Sequence, residues 1–351
     1  MERKMLTERS GKILNTIIRQ YIVKASPVPS QVIASEAGLD VSPATIRNEM
    51  AQLEQDGYLI RPHTSAGCIP SDKGYRHYVE TIYNQPLPRE EQRLISHTFH
   101  QAEREIEAWL SLSATLLARL AQNVAVVSLP KSTDCKLKHL ELLSLQDSLA
   151  LAVIVLHGAK VRQKLIAFDQ TVDQARLAVM SEKLNAAYTD LTARQISLLE
   201  IELSDFERAV TGHLIDIMKT EDKQDYGNPY LDGWHFMFNQ PEFAQSDQVT
   251  ALMELTEQRS LLKVLLPNNL SREGVHVIIG KENENEAIQN CSVVLCRYGL
   301  PEEATGTIGV VGPTRMEYSR TIPTVHYLSS VLSRLVASLY GYNVEDREKE
   351  N

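Results

Sequence analysis

Arg47 and Asn48 stand side by side in the run Ser42-Pro43-Ala44-Thr45-Ile46-Arg47-Asn48-Glu49-Met50. The pair has a specific chemistry: an arginine fork matches O6 and N7 of guanine, and an asparagine amide matches N6 and N7 of adenine. Ser42, Ala44 and Thr45 add small or polar groups on the same side. A second group follows in Arg61-Pro62-His63-Thr64-Ser65-Ala66-Gly67, where Arg61, His63, Thr64 and Ser65 suit phosphate or minor-groove contact. Lys73 and Arg76 complete the candidate set. Double-stranded DNA is the ligand these types imply, provided that helices and a hairpin present them together.

The surrounding pattern supplies such elements. Thr7 is placed to cap a helix whose apolar residues Ile13, Leu14, Ile17, Ile18, Tyr21 and Ile22 recur at helical period and which ends before Pro27. Pro27-Val28-Pro29 enforces an extended connection, and Ser30 is placed to cap a short second helix that stops at Gly38. Ser42 with Pro43 then combines an N-cap hydroxyl with proline at the first helical position. On this third helix Ile46, Met50 and Leu53 share a narrow arc, opposite Ala44, Asn48, Ala51 and Gln55. Short helix, turn and capped helix fit a helix-turn-helix, although a three-helix bundle with a solvated face fits as well. The hairpin expected next, with strands at 58–60 and 68–70 around a turn-rich tip, favours the first reading, because a hairpin directly after a recognition helix is a wing. Ser71 opens a further helix with Tyr75, Tyr78, Val79 and Ile82 as its packing stripe, the aromatics reading as core and not as base-stacking groups.

The overall charge of −9 runs against nucleic acid, but its distribution does not. Residues 1–78 hold ten Lys and Arg against eight Asp and Glu, a net of +2, which leaves −11 for the remainder. With 43% hydrophobic and 23% charged residues, the chain has the composition of a folded globular protein of two or three domains. No apolar run approaches the ~20 residues that span a bilayer, and the first seven residues lack the apolar core of a signal peptide, so a cytoplasmic protein away from membranes is expected. Cys68, Cys135, Cys291 and Cys296 read as reduced and buried. The spacing of five between the last two fits neither CxxC nor a zinc ribbon, and no metal or cofactor is expected.

The run 41–50, together with Pro62-His63-Thr64-Ser65-Ala66-Gly67 and Pro70-Ser71-Asp72-Lys73-Gly74-Tyr75-Arg76, resembles the bacterial heat-inducible transcription repressor family HrcA. Cys291-Ser292, Tyr298-Gly299 and the run 306–318 resemble the family's C-terminal signature, with Gly227-Asn228-Pro229 and Pro241-Glu242-Phe243 in the expected order between. The family usually carries Arg where this chain has Cys68, which removes a cationic phosphate contact from the wing and leaves Arg61 in its stead. The resemblance implies an α+β, multidomain chain with an N-terminal winged helix-turn-helix, a long linking helix, and a GAF-like α/β domain carrying an inserted helical dimerisation segment. It also implies a homodimer on an inverted-repeat operator, upstream of chaperonin and chaperone genes, and dependence on the GroEL chaperonin.

For the body, Pro86-Leu87-Pro88 reads as a linker closing a DNA-binding domain of 1–85, and 89–122 as one long helix with Leu94, Ile106, Trp109, Leu110, Leu116, Leu117 and Leu120 apolar. Strands are expected at 124–129, 137–145, 149–156, 262–266, 275–279, 291–298 and 307–311. Helical spacing across 171–220 marks an insertion of about 169–226, so that 123–168 and 227–342 make up the GAF-like domain. The run 306–315 lacks the Gly-Lys-Ser/Thr ending of a phosphate loop and reads as a buried strand and tight turn. A last helix is expected from Pro323, and 343–351 as a mobile tail. His139, His157, His276 and His326 sit in no catalytic signature, so no enzyme is expected. The competing function is a regulator controlled by a small molecule in the α/β domain.

Overall fold

The computed structural model describes residues 6–36, 38, 42–63, 67–83, 85–102, 105–131, 135–157, 160–168, 170–223, 229–243, 274–300 and 304–340. The expected strand 262–266 and tail 343–351 lie outside these residues, as do Gly227 and Asn228.

Thr7 accepts the amide of Ser10 and starts α1 (Glu8–Lys24), which buries Ile13, Leu14, Ile17 and Ile18. Helix α2 (Ser30–Glu36) begins at Ser30 itself and not after it, with the amide of Val32 bonded to the Pro29 carbonyl. Ser42 caps α3 (Pro43–Gln55), whose buried residues are Ile46, Met50 and Leu53, the arc read from the sequence. Strands β1 (Leu59–Ile60) and β2 (Ile69–Pro70) then pair antiparallel. Cys68 extends the hairpin by exchanging both backbone bonds with Val28, at 2.9 and 3.0 Å, so the Pro-Val-Pro connection becomes a third strand position. Gly67 permits that approach: a Cβ there would lie 2.4 Å from the Val28 carbonyl. Helix α4 (Asp72–Ile82), capped by Ser71, buries Tyr75, Tyr78, Val79 and Ile82 as expected.

Residues 89–122 form two helices and not one, α5 (Arg89–Gln101) and α6 (Ile106–Ala121), broken by extended backbone at Ala102 and Glu105. The apolar period runs unbroken through Ile95, Phe99, Ile106, Trp109 and Leu110, so nothing local marks the break. Packing does. Helix α5 buries only Ile95 and Phe99, and Leu94 is 54% exposed, whereas α6 buries nine residues around most of its circumference. Leu87, expected in a solvated linker, is buried in the core.

Two compact units emerge. The first holds Met1–Leu129, Asn228–Tyr298 and Gly306–Asn351. Beyond the helices above it contains β3 (Val124–Val127), β7 (Tyr230–Asp232), α10 (Trp234–Phe238), β8 (Val275–Ile279), β9 (Cys291–Leu300), β10 (Ala304–Pro313) and α11 (Tyr318–Leu339), the last strands reaching past its edges. The sheet order is β7-β3-β10-β9-β8. Helix α11 starts five residues before the expected Pro323 and carries that proline inside it. One continuous apolar core joins α1 to α4 with α6, α11 and this sheet.

The second unit, Pro130–Gly227 with Gly299–Thr305, corrects the expected insertion of 169–226. It takes in β4 (Leu137–Gln146), β5 (Leu149–Leu156) and β6 (Lys160–Ala167), an antiparallel sheet, with α7 (Gln174–Tyr188), α8 (Ala193–Leu198) and α9 (Asp205–Lys223). Its core is its own: Leu140, Leu142, Ala152, Ile154 and Ile166 meet Leu177, Leu184, Val210 and Leu214. The strands of 137–167 thus leave the expected GAF-like segment, and β6 was not foreseen. β5 is apolar at every position, so its pattern announces burial without saying which core it joins.

Replacing Ile154, 1% exposed, by Ala removes side-chain volume from the centre of that core. Denaturant unfolding is expected to register a loss of about 2 to 5 kcal/mol, and a loss under about 1 kcal/mol would mean the site collapses around the gap.

Candidate nucleic-acid interface

Ser42 makes the start of α3. Its hydroxyl accepts the Thr45 amide at 3.2 Å and lies 3.0 Å from the Thr45 hydroxyl, while Pro43 presets the first helical φ. Thr45 is thereby half-buried against the cap, and Ala44, Arg47, Asn48, Ala51, Gln52 and Gln55 make up the exposed side. Among the described residues, Arg47 is held by a 3.4 Å contact from Nε to the Ser30 hydroxyl, near the limit of a hydrogen bond. Asn48 makes no side-chain hydrogen bond among the described residues. These two, with the exposed Gln52 and Gln55 further along, are the polar groups of α3 open to a new partner.

The opposite flank is fixed. Glu49 accepts from the Ser10 hydroxyl at 2.7 Å and from Arg9 Nε at 2.9 Å, with a second Arg9 nitrogen on the same oxygen, so α3 is tied to the start of α1. The Ser10 hydroxyl, and after it the Arg9 guanidinium, hold the Glu49 carboxyl below the usual carboxylate range, with burial opposing them. Sequence reasoning missed this triad, since its members lie 39 and 40 positions apart and no local pattern links them.

The other candidates divide. His63 is exposed at the hairpin, while Thr64 and Ser65 lie outside the described residues. Arg61 donates to Glu54 at 3.1 Å and keeps about a third of its side chain exposed. Lys73 is exposed but engaged: its ammonium donates to the Asp56 carbonyl at 2.6 Å and lies 4.2 Å from the Tyr58 ring centre, binding the start of α4 to the end of α3. Arg76 does not join the group. It donates from Nε to Glu282 at 2.9 Å and from Nη2 to the Val277 carbonyl at 2.6 Å, facing the sheet. Cys68 is fully buried, and burial pushes its thiol up, so position 68 points into the core and away from any phosphate on the hairpin's outer side.

Elsewhere the chemistry is muted. All four cysteines are unbridged and buried, Cys291 with its thiol pushed up to about 12 by burial. His139 lies 3.2 Å from Glu141, two residues on, and His157 lies 2.6 Å from Asp190, 33 positions away, both as pairs open to solvent. Among the described residues, no three His, Cys, Asp or Glu converge as a metal set, and no helix is long and apolar enough to cross a membrane.

The profile of the HrcA protein C-terminal domain matches residues 107–322. A heat-inducible transcription repressor HrcA of Dehalococcoides mccartyi is 49% identical over 337 residues, covering 96% of this chain and 98% of that protein. Its counterpart in Roseiflexus castenholzii is 39% identical over 349 residues, covering 96% of each. A crystal structure of a hypothetical protein, 24% identical, superposes with a TM-score of 0.58 and covers 95% of this chain and 98% of its own, which shows a shared fold.

Replacing Glu49 by Ala removes the acceptor shared by Ser10 and Arg9, although the Ser10 hydroxyl keeps the Thr7 hydroxyl at 2.7 Å, and is expected to cost about 0.5 to 1.5 kcal/mol in denaturant unfolding at pH 7. Because the folded carboxyl titrates below its unfolded value of about 4.3, this contribution is complete above that value and disappears as pH falls through the folded pKa. The difference between Glu49→Ala and the unsubstituted chain should therefore narrow below about pH 4; a constant difference down to pH 2 would assign the effect to packing.

Proposed function

The chain belongs to the family of heat-inducible transcription repressors HrcA, and from that premise we propose that residues 1–85 are a winged helix-turn-helix that reads an inverted-repeat operator. The observation that carries the reading is the division of α3: Glu49 anchors one flank, while Arg47 and Asn48 stand exposed on the other with almost no competing partner. A group that reads a base edge must be unsatisfied beforehand, since breaking an internal bond would cancel the gain. Arg47 and Asn48 contact base edges, with Ala44 and Thr45 at the helix start and the Ser42 cap behind them. Arg61, His63, Thr64 and Ser65 form the wing and touch phosphate or the minor groove, and Lys73 lies at its base. Arg76, turned to the sheet, takes no part.

The sheet β7-β3-β10-β9-β8 with α6 and α11 serves as the GAF-like domain, and 130–227 as the inserted dimerisation segment. Support for the latter comes from the face of its sheet turned away from α7 and α9. Leu143, Leu151 and Leu165 align across the three strands, with Leu145 two residues on from Leu143 in β4 and Val161 opposite Val155 nearer the other end of β5. Leu143, Leu145, Val161 and Leu165 are 40 to 55% exposed, an apolar patch of the kind that a second copy covers. Two copies present two recognition helices to dyad-related half-sites, and bound repressor blocks transcription of chaperonin and chaperone operons. The active fold depends on GroEL chaperonin; heat diverts chaperonin to unfolded proteins, active repressor falls and transcription rises.

A cavity of about 450 Å³ favours a second reading, control by a small molecule. Arg19 and Ile22 of α1, Ile82 of α4, Asn123, Gln240 and Met316 line it, so an occupant would touch both the DNA-binding helices and the α/β domain.

In a gel shift, purified protein should retard an inverted-repeat duplex, and added chaperonin should raise the fraction that binds. Arg47→Ala or Asn48→Ala is expected to weaken specific binding by about 1 to 3 kcal/mol. An equal loss on random duplex assigns the residue to phosphate, and equal retardation of random duplex by the unsubstituted chain rejects operator reading.

A further inference from the structure

Among the described residues, strand β8 is at the end of its sheet, bonded to β9 on one side. In an antiparallel edge strand alternate residues turn N–H and C=O away from the ladder, and such groups ordinarily invite another strand. In β8 those residues are Val275, Val277 and Ile279, and side chains meet them. The Tyr83 hydroxyl, directly after α4, accepts the Val275 amide at 3.0 Å and donates to the Val275 carbonyl at 2.8 Å. One hydroxyl thus does for Val275 what a neighbouring strand would do. Arg76 of α4 donates to the Val277 carbonyl at 2.6 Å, and Glu282, which accepts the Ile279 amide at 2.8 Å, also pairs with Arg76. At the other end of α4, Asp72 accepts the Lys281 amide at 3.0 Å. Gly280, at φ +54°, is pressed so close that a Cβ would lie 2.4 Å from the Asp72 carboxylate.

We propose that α4 is a cap on this sheet edge, that capping and strand addition at β8 are mutually exclusive, and that the strand replacing α4 is β8 of a second copy of the chain. The choice of occupant follows from the strand itself. Gly274-Val275-His276-Val277-Ile278-Ile279-Gly280 has no Asp, Glu, Lys, Arg or Pro and is dominated by β-branched residues, the composition that pairs with itself. Two such edges of equal length pair antiparallel about a twofold axis, each supplying the amides and carbonyls that Tyr83, Arg76 and Glu282 otherwise satisfy. Because α4 also seats the hairpin and α3, a chain that loses the cap loses the fixed position of its recognition helix as it gains an adhesive edge. This inference concerns the sheet edge and stands whether or not the operator reading does.

The test uses the full chain, unsubstituted and in two variants: the double variant Arg76→Met with Tyr83→Phe, which removes the capping hydrogen bonds of both side chains while keeping apolar bulk, and Gly280→Ala, which drives a Cβ into Asp72. A fluorescein-labelled peptide of residues 274–280 is the probe, with a control peptide carrying Val277→Pro, which lacks an amide needed for pairing. Expected is binding of the probe to both variants at least about tenfold tighter than to the unsubstituted chain. The control peptide should not bind, and the variants should form larger, concentration-dependent species in sedimentation velocity. Equal binding to all three chains, or equal binding of the control peptide, overturns the proposal. Where the double variant does not fold by circular dichroism, Tyr83→Phe alone and Gly280→Ala decide by the same readings.

Discussion

Helix α4 has eleven residues and two sets of neighbours to satisfy. One side closes over α1 and β2, and its first turn is stapled to the end of α3 through Lys73 and Asp56. The other side meets β8 and α11, where Tyr75 lies against Tyr318 with ring centres 5.9 Å apart. Burial of both tyrosines raises their hydroxyl pKa values well above normal, so the contact favours the neutral phenols. Because a single helix is buried on both sides, the apolar core of the N-terminal helices continues into that of the α/β domain. Leu87, between α4 and α5, is buried in the same core.

The distribution of satisfied and unsatisfied charge follows from that constraint. Arg315 donates to the Ile22 carbonyl at 3.1 Å, to Gln240 at 2.7 Å and to Glu242, closing the C-terminal turn of α1 against the domain. Arg76 closes α4 and Arg9 closes α3 in the same manner. Arg315 and Arg76 sit in partly buried places where an unpaired guanidinium is costly, so a carboxylate faces each; Arg9 is about half exposed, and its partner Glu49 is the more buried member of that pair. Arg47 faces water, where exposure costs little and pairing would yield less than about 1 kcal/mol. Burial thus accounts for the pairing of Arg76 and Arg315, while Arg9 and Lys73 are engaged although exposed.

The unit of 130–227 obeys a different economy. Its sheet needs one face for α7 and α9 and takes it from Ala150, Ala152, Ile154 and Leu156. Polar residues would suffice on the other face, yet Leu149, Leu151, Val153 and Val155 occupy it along β5. A strand apolar on both sides is at rest only when both are covered. That surplus agrees with self-association and explains why alternation failed to separate this sheet from the one in the first unit.

Local chemistry spoke for itself before any fold was known. The hydroxyl caps at Thr7, Ser42 and Ser71, proline at the start of α3, the buried arcs of α1, α3 and α4, and the exposed pair Arg47 and Asn48 all follow from interactions within about four residues, which a sequence displays directly. Features that join distant segments were silent there: the Glu49 anchor to Ser10 and Arg9, the break between α5 and α6, the ownership of 137–167, and the turning of Arg76 from surface to sheet edge. Arg76 shows the reason most plainly. Its neighbours in sequence mark a basic helix beside a hairpin, but its partner Glu282 stands 206 positions away, and only closure of the chain brings that carboxylate within 3 Å.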